Sequence, residues 1–416
     1  MEKLKLDLLV IGFGKAGKTI AMKRAVAGDR VAVVESDPMM FGGTCINIGC
    51  VPTKYLLTQS AKNLPFVDAK AGRNAFIAKL NAANKNLVEG KGALVITGSA
   101  RFKEQKTVVV GEFVEITADT IIINTGATSG IEVTGKIHDS TSIQQLESTP
   151  ASLAIVGAGP IGLEFATMFN QFGTKVTVYK GEGRLLPRFD LDIAESVRTH
   201  LESQGIKFID QRVADAAKLK EEVVLMATGR RPAIADLELE KAGIEYTERG
   251  ITVNEYCETN VPGIYACGDV NGGPQFTYIS FDDHRVVMDH RWGKQERTTA
   301  NRVIPTCTFI DPPLATVGMA EEEAAQKHNI SVRKANIVDI PILPRPKILG
   351  KAEGLAKFIV DADTDQILGA TLFCVDSQEL INMVALAIKH QITATEVGEG
   401  IYTHPATSEV FNALLV

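Results

Sequence analysis

One six-residue glycine pattern occurs twice in this sequence, each time between an apolar run and a helical stretch. The first copy, Gly12-Phe13-Gly14-Lys15-Ala16-Gly17, follows the run Leu6 to Ile11. The second, Gly157-Ala158-Gly159-Pro160-Ile161-Gly162, follows Leu153 to Val156 and starts 145 residues later. In a G-x-G-x-x-G turn the first glycine makes the tight bend, the second lets backbone approach a pyrophosphate, and the third lets helix pack on strand. The helix that follows points free N–H groups and a positive dipole end at the phosphates. A second strand succeeds each helix, Arg30 to Val34 ending in Glu35, and Lys175 to Tyr179. One such pattern is weak evidence. Two in the correct strand–turn–helix context predict two dinucleotide-binding modules.

Each module closes on an apolar strand that runs into a Thr-Gly turn, at Thr125-Gly126 and at Thr228-Gly229. The first module is longer than the second, and its surplus contains Cys45 and Cys50. From about Arg302 the glycine pattern is gone. Strand-like stretches (306–309, 355–360, 367–373) alternate there with helical ones (321–328, 377–390). The expected fold class is α/β: two nested Rossmann-like domains and a C-terminal α+β dimerisation domain. The expected boundaries are 1–140 with 256–301, then 141–255, then 302–416.

Composition narrows the function classes. The chain has 416 residues, 45% hydrophobic and 23% charged, with net charge −6. That is globular composition, and it lacks the basic excess that holds nucleic acid or anionic lipid. No apolar run reaches the ~20 residues of a membrane span. No apolar segment near Met1 reads as a secretory leader, so the expected location is cytoplasmic.

In a reducing compartment a close cysteine pair reads as catalytic or metal-binding before structural. Four of the six cysteines, Cys257, Cys267, Cys307 and Cys374, stand singly in apolar or strand-like surroundings and are expected to be buried bystanders. The other two stand in Gly42-Gly43-Thr44-Cys45-Ile46-Asn47-Ile48-Gly49-Cys50-Val51-Pro52-Thr53-Lys54, ahead of a helical stretch. Five residues of regular helix rise ~7.5 Å and rotate the side chains far apart, whereas a disulfide needs Cα atoms within about 7 Å. A bonded pair therefore requires a break in the helix, which Gly49 and Pro52 permit. Zinc is the competing reading, but no second Cys/His pair has ligand spacing.

Cys-x4-Cys-x-Pro-x-Lys beside the first glycine pattern, with the second downstream, resembles the class I pyridine nucleotide–disulfide oxidoreductases over essentially the whole chain. The resemblance implies FAD in the first domain, with Gly12, Gly14, Gly17, Gly43, Thr44, Thr125 and Gly126 around it and Glu35 at its adenosine ribose. Thr259 to Asp269 resembles the family's later flavin motif, which gives Asp269 the ribityl chain. Lys54 resembles the lysine beside the flavin, and Glu164 its ion-pair partner. Gly157, Gly159, Gly162 and Gly229 would cradle the nicotinamide coenzyme. Lys180, where Glu35 stands in the first module, favours NADPH over NADH, with Arg184 assisting. His404-Pro405 with Glu409 resembles the segment that reaches the partner subunit's active site, so a homodimer is implied. In the implied cycle FAD reduces the disulfide, Cys50 becomes the thiolate at the flavin, and Cys45 attacks the substrate. His404, oriented by Glu409, takes the Cys45 proton. The other histidines, such as His200 and His328, are expected to be structural.

Within the family, Cys-Ile-Asn-Ile-Gly-Cys, the stretch Gly273 to Asp283, Pro312-Pro313-Leu314 and Cys374 to Glu379 look like the reactive chlorine resistance flavoproteins, which reduce hypothiocyanous acid. Dihydrolipoamide dehydrogenase and cupric or mercuric ion reductase are the alternatives. The chain departs from the family in two places. Only about a dozen residues separate the strand near Phe208 from the one at Val223, where the family carries a β-meander. Pro160 stands where glutathione reductase has a gating tyrosine.

Overall fold

The computed structural model describes all 416 residues and divides the chain into two compact units. Residues 1–56, 67–132 and 229–301 form the first unit, and 57–66, 133–228 and 302–416 the second.

The first unit is built on a seven-stranded sheet. Its parallel part runs Leu94–Thr97, Val31–Glu35, Glu2–Ile11, Val114–Ile123, with Ile264–Ala266 added beside Val114–Ile123. Antiparallel strands Thr107–Val110 and Ala100–Glu104 extend it. The central strands are apolar on both faces, as a sheet covered on both sides must be: Leu8, Leu9, Val10, Ile121, Ile122 and Ile123 are fully buried.

The second unit carries two sheets. One is parallel, in the order Lys207–Ile209, Lys175–Tyr179, Ser152–Val156, Val223–Met226, Ile137–His138. The other is antiparallel, in the order Thr306–Thr308, Leu314–Gly318, Ile367–Phe373, Leu355–Asp361, Ile330–Asn336, with helix Ser377–Lys389 laid across it. Lys357, 2% exposed, joins the two halves of this unit through ion pairs to Asp190 (2.9 Å), Asp192 (3.0 Å) and Glu321 (2.6 Å).

Several expectations need correction. Residues 229–255 were expected in the second module but belong to the first unit. There Arg231–Pro232 pairs with Ala127–Thr128, and Leu237, Leu239, Ala242, Ile244 and Ile251 enter the core of the first sheet. Residues 57–66, expected in the first domain, belong to the second unit, where Phe66 packs on Phe169 and Phe172. The helix expected over 321–328 ends at Ala325. Cys307 is half-buried, unlike Cys257, Cys267 and Cys374. The short connection before Val223 does lack a meander. It holds one 3-10 turn, Ala216–Lys218, capped by Asp215, and Val213, Ala216 and Leu219 cover the sheet residues Ala154, Val156 and Val224.

Candidate active site

The first glycine turn is held by a residue outside it. A Cβ on Gly12 would lie 2.5 Å from the Asn124 carbonyl oxygen, and one on Gly14 2.3 Å from Asn124 Oδ1. Gly12 also has a φ of +92°, open to glycine at little cost. Asn124 Oδ1 accepts from Gly17 N (2.8 Å), and its Nδ2 donates to the Cys267 carbonyl (2.6 Å). One side chain thus ties the glycine turn to the segment carrying Asp269. Sequence reasoning missed Asn124, although it lies next to the Thr125-Gly126 turn.

Glu35 ends the second strand as expected. Its Oε2 accepts from Phe13 N (3.0 Å) and its Oε1 from Asp37 N (3.2 Å). Burial raises its pKa, while these N–H groups oppose the rise. Gly43 (φ +79°) comes so close to the glycine turn that a Cβ on it would lie 3.0 Å from Gly14 Cα. A Cβ on Gly126 would stand 3.4 Å from Thr44 Oγ1, so Gly14, Gly43, Thr44 and Gly126 form one cradle. No side chain caps the helix Lys15–Val26 at Gly14. Thr125 Oγ1 instead donates to the Ala233 carbonyl (2.8 Å). Asp269 lies in the first turn of the short 3-10 helix Gly268–Asn271; burial pushes its carboxyl up, and the Arg230 guanidinium pulls it down. A cradle built mainly of glycine backbone, an uncapped helix start and carboxylates at both ends fit an extended dinucleotide.

Cys45 and Cys50 are both thiols here, with no disulfide between them. The helix breaks between them: Thr44–Asn47 ends at Ile48, Gly49 N donates to the Thr44 carbonyl (2.7 Å), and Cys50–Ser60 begins anew. That break places Cys50 close enough to act on the Cys45 thiol. Cys50 and burial push the Cys45 thiol strongly up, while the Thr277 hydroxyl and the Lys18 ammonium pull it down. Thr277 Oγ1, at the start of helix Thr277–Trp292, is 3.7 Å from Cys50 Sγ. Lys54 follows one turn after Cys50. Thr277 is a further site residue that the sequence did not single out, since 227 residues separate it from Cys50.

The second unit repeats the glycine construction. A Cβ on Gly157 would lie 2.5 Å from the Ala227 carbonyl oxygen and one on Gly162 2.0 Å from the Gly157 carbonyl oxygen, while Gly159 faces open space. Pro160 occupies the first helical position. Gly229 belongs to the first unit and has a φ of +115°. Lys180 is paired with Asp210 (3.2 Å), its side chain 3% exposed, and also donates to the Gly183 carbonyl. Arg184 donates to the Pro187 (2.9 Å) and Phe189 (2.8 Å) carbonyls. Glu164 is buried and accepts from Phe309 N (3.0 Å).

His404 is exposed, and its Nδ1 is 2.8 Å from Glu409 Oε1. The Ala406 N–H and then His404 hold the Glu409 carboxyl below its usual range. A carboxylate at Nδ1 keeps the proton there and leaves Nε2 as the basic nitrogen. His200 meets the Asp311 carbonyl (2.7 Å) and His328 meets Asp361 (2.8 Å), both as tertiary contacts.

Comparison with known proteins shows the family. The pyridine nucleotide-disulphide oxidoreductase model matches residues 6–283, and the dimerisation-domain model of the same family matches 304–415. The probable pyridine nucleotide-disulfide oxidoreductase RclA of Escherichia coli is 40% identical, over 99% of this chain and 98% of its own. A mercuric reductase of Staphylococcus aureus is 31% identical, over 97% of this chain and 80% of its own. The solved Cu(II) complex of the HOCl-induced flavoprotein disulfide reductase RclA from Escherichia coli superposes with a TM-score of 0.95 at 38% identity, covering 99% of both chains.

Proposed function

The chain belongs to the pyridine nucleotide-disulphide oxidoreductase family, and on that premise we propose that it is a homodimeric, NADPH-dependent reductase of hypothiocyanous acid. The observation that carries the reading is the thiol pair at the helix break, on a chain 40% identical to a flavoprotein whose solved form is described as HOCl-induced. Bound FAD supplies the two-electron relay between reduced nicotinamide and the cysteine pair.

The residues of the chain do the rest. His404 Nε2 of the partner subunit takes the Cys45 proton, and Glu409 Oε1 fixes the ring through Nδ1. The Cys45 thiolate attacks the substrate sulfur. A Cys45–S–SCN bond forms, the S–O bond breaks, and the departing hydroxide takes a proton to become water. The Cys50 thiolate then attacks Cys45 Sγ, restores the disulfide and expels thiocyanate. Thiocyanate is a weak base, which makes it a fast leaving group. The stoichiometry to be measured is one thiocyanate released per nicotinamide oxidised. Nicotinamide oxidation without thiocyanate release removes the reading. The Cu(II) complex of the solved relative supports metal-ion reduction as the second reading.

The coenzyme preference rests on Lys180 and Arg184. Asp210 already neutralises the Lys180 ammonium, so the expected advantage of NADPH is within about tenfold in kcat/KM, or 1.4 kcal/mol. Asp210→Asn frees that charge and is expected to widen the advantage several-fold. An NADH preference in the unmodified enzyme, unmoved by Asp210→Asn, makes Lys180 a structural lysine.

A further inference from the structure

The stretches Pro312-Pro313-Leu314 and Cys374 to Glu379 take no part in the chemistry above, yet hydrogen bonds tie them to each other and to the turn after His404. Ser377 Oγ donates to the Pro313 carbonyl (2.6 Å). The next residue back is the pivot. Asp376 Oδ2 accepts from Thr407 Oγ1 (2.8 Å) and from Arg345 Nε (2.9 Å), which comes from the short helix Pro344–Ile348. Thr407 is 2% exposed and opens the 3-10 turn Thr407–Glu409. That turn ends in Glu409, whose Oε1 holds His404 Nδ1 (2.8 Å) and whose Oε2 accepts from Ala406 N (2.9 Å). The bond from Thr407 to Asp376 therefore anchors the loop that the His404–Glu409 pair closes.

Local structure does not account for this aspartate. Its φ is +64°, a region that suits glycine and strains an L side chain. Aspartate enters that region when its short polar side chain bonds its own neighbouring backbone. Asp376 stands at the N-cap of the helix Ser377–Lys389, where a carboxylate ordinarily accepts from the first N–H groups of the helix. It makes no such bond. The Asp376 carbonyl receives Glu379 N (2.9 Å) and Leu380 N (3.1 Å) instead, which a glycine would do at less cost. The carboxylate is spent on tertiary partners. Both it and Arg345 are partly exposed, and an exposed ion pair adds little to stability. What it adds is geometry: Arg345 fixes the carboxylate, and the carboxylate fixes Thr407 through a charge-assisted hydrogen bond.

We propose that Asp376 is a positioning residue for the acid–base pair: held by Arg345, it pins Thr407 and so sets where Glu409 carries His404. Asp376 acts on the reaction only through His404. The inference rests on His404 taking the Cys45 proton, but it does not depend on what Cys45 attacks.

The test is the rate of Cys45 alkylation at neutral pH in the dithiothreitol-reduced holoenzyme. Iodoacetamide is the probe, and peptide mass spectrometry separates Cys45 from Cys50. His404→Ala is expected to slow alkylation by about tenfold or more, since the base that accepts the proton is gone. Asp376→Gly suits the positive φ and is expected to fold as the parent does, yet to slow alkylation by about three- to tenfold through misplacement of His404. Thr407→Val removes the hydroxyl, leaves the Arg345–Asp376 pair, and is expected to show the same loss. Thr407→Ser keeps the hydroxyl and is expected to restore the parent rate. In a His404→Ala background Asp376→Gly is expected to add nothing, because the two residues act along one path. Parent rates in both Asp376→Gly and Thr407→Val overturn the proposal, and so does a further loss from Asp376→Gly in the His404→Ala background. A parent rate in His404→Ala overturns the assignment of His404 as the base, and the proposal with it. Failure of hypothiocyanous acid turnover with these losses present overturns the substrate reading alone.

Discussion

Cys45→Ser is expected to abolish hypothiocyanous acid turnover, by about a thousandfold or more, while the protein still binds flavin. The reason is chemical. A serine hydroxyl at neutral pH supplies no anion comparable to a thiolate, and removing a nucleophile removes the covalent path itself. Cys50→Ser is expected to lose steady-state turnover to a similar extent by a different route. Its Cys45 still attacks once, but nothing expels thiocyanate from the Cys45 adduct, so one equivalent is consumed and the protein stalls. The variants are therefore separable in a single-turnover experiment on protein reduced beforehand: a burst of one equivalent with Cys50→Ser, none with Cys45→Ser. Bursts from both variants remove the assignment of Cys45 as the attacking thiol. Thr277, at 3.7 Å from Cys50 Sγ, stays in place in both variants, so packing around the pair is little altered.

The second large effect concerns the two chains of the dimer. His404→Ala is expected to lower turnover by roughly 10²–10⁴, the usual contribution of a positioned general acid–base. If His404 serves the Cys45 of the other chain, a heterodimer of Cys45→Ser and His404→Ala has one complete site. In a random mixture about half of the molecules are heterodimers, each with one of its two sites intact, so activity returns to roughly a quarter of the unmodified value. If His404 serves its own chain, no heterodimer has a complete site and activity does not return. The dimerisation-domain match at residues 304–415, which contains His404, supports the first outcome.

The parts of this molecule that the sequence disclosed are those where local chemistry forces the residue type. Gly12 and Gly157 must be glycine because positive φ and a neighbouring carbonyl leave no room for a Cβ. The cysteine pair was readable because five residues of unbroken helix cannot close on themselves, and Gly49 marks the break. His404 and Glu409 are five residues apart and meet at 2.8 Å. What stayed hidden is tertiary. Asn124 reaches Gly17 across 107 residues and Lys18 reaches Asn84 across 66, and neither distance leaves a periodic trace. The boundary at 229–255 was misplaced for a related reason. Its strand Arg231–Pro232 has two residues, too few for an alternating pattern, and only its pairing with Ala127–Thr128 shows where it belongs. The edge strand Ile330–Asn336 escaped notice because Arg333 and Lys334 interrupt it, each engaged in ion pairs.

The central claim is that this dithiol serves a small electrophilic oxidant and not a bulky disulfide. The most direct test compares kcat/KM for hypothiocyanous acid, oxidised glutathione, lipoamide and cupric ion on one preparation at saturating NADPH. The account predicts that hypothiocyanous acid exceeds each of the others by about a hundredfold or more, with one thiocyanate released per NADPH. Faster turnover of glutathione, lipoamide or cupric ion would contradict it.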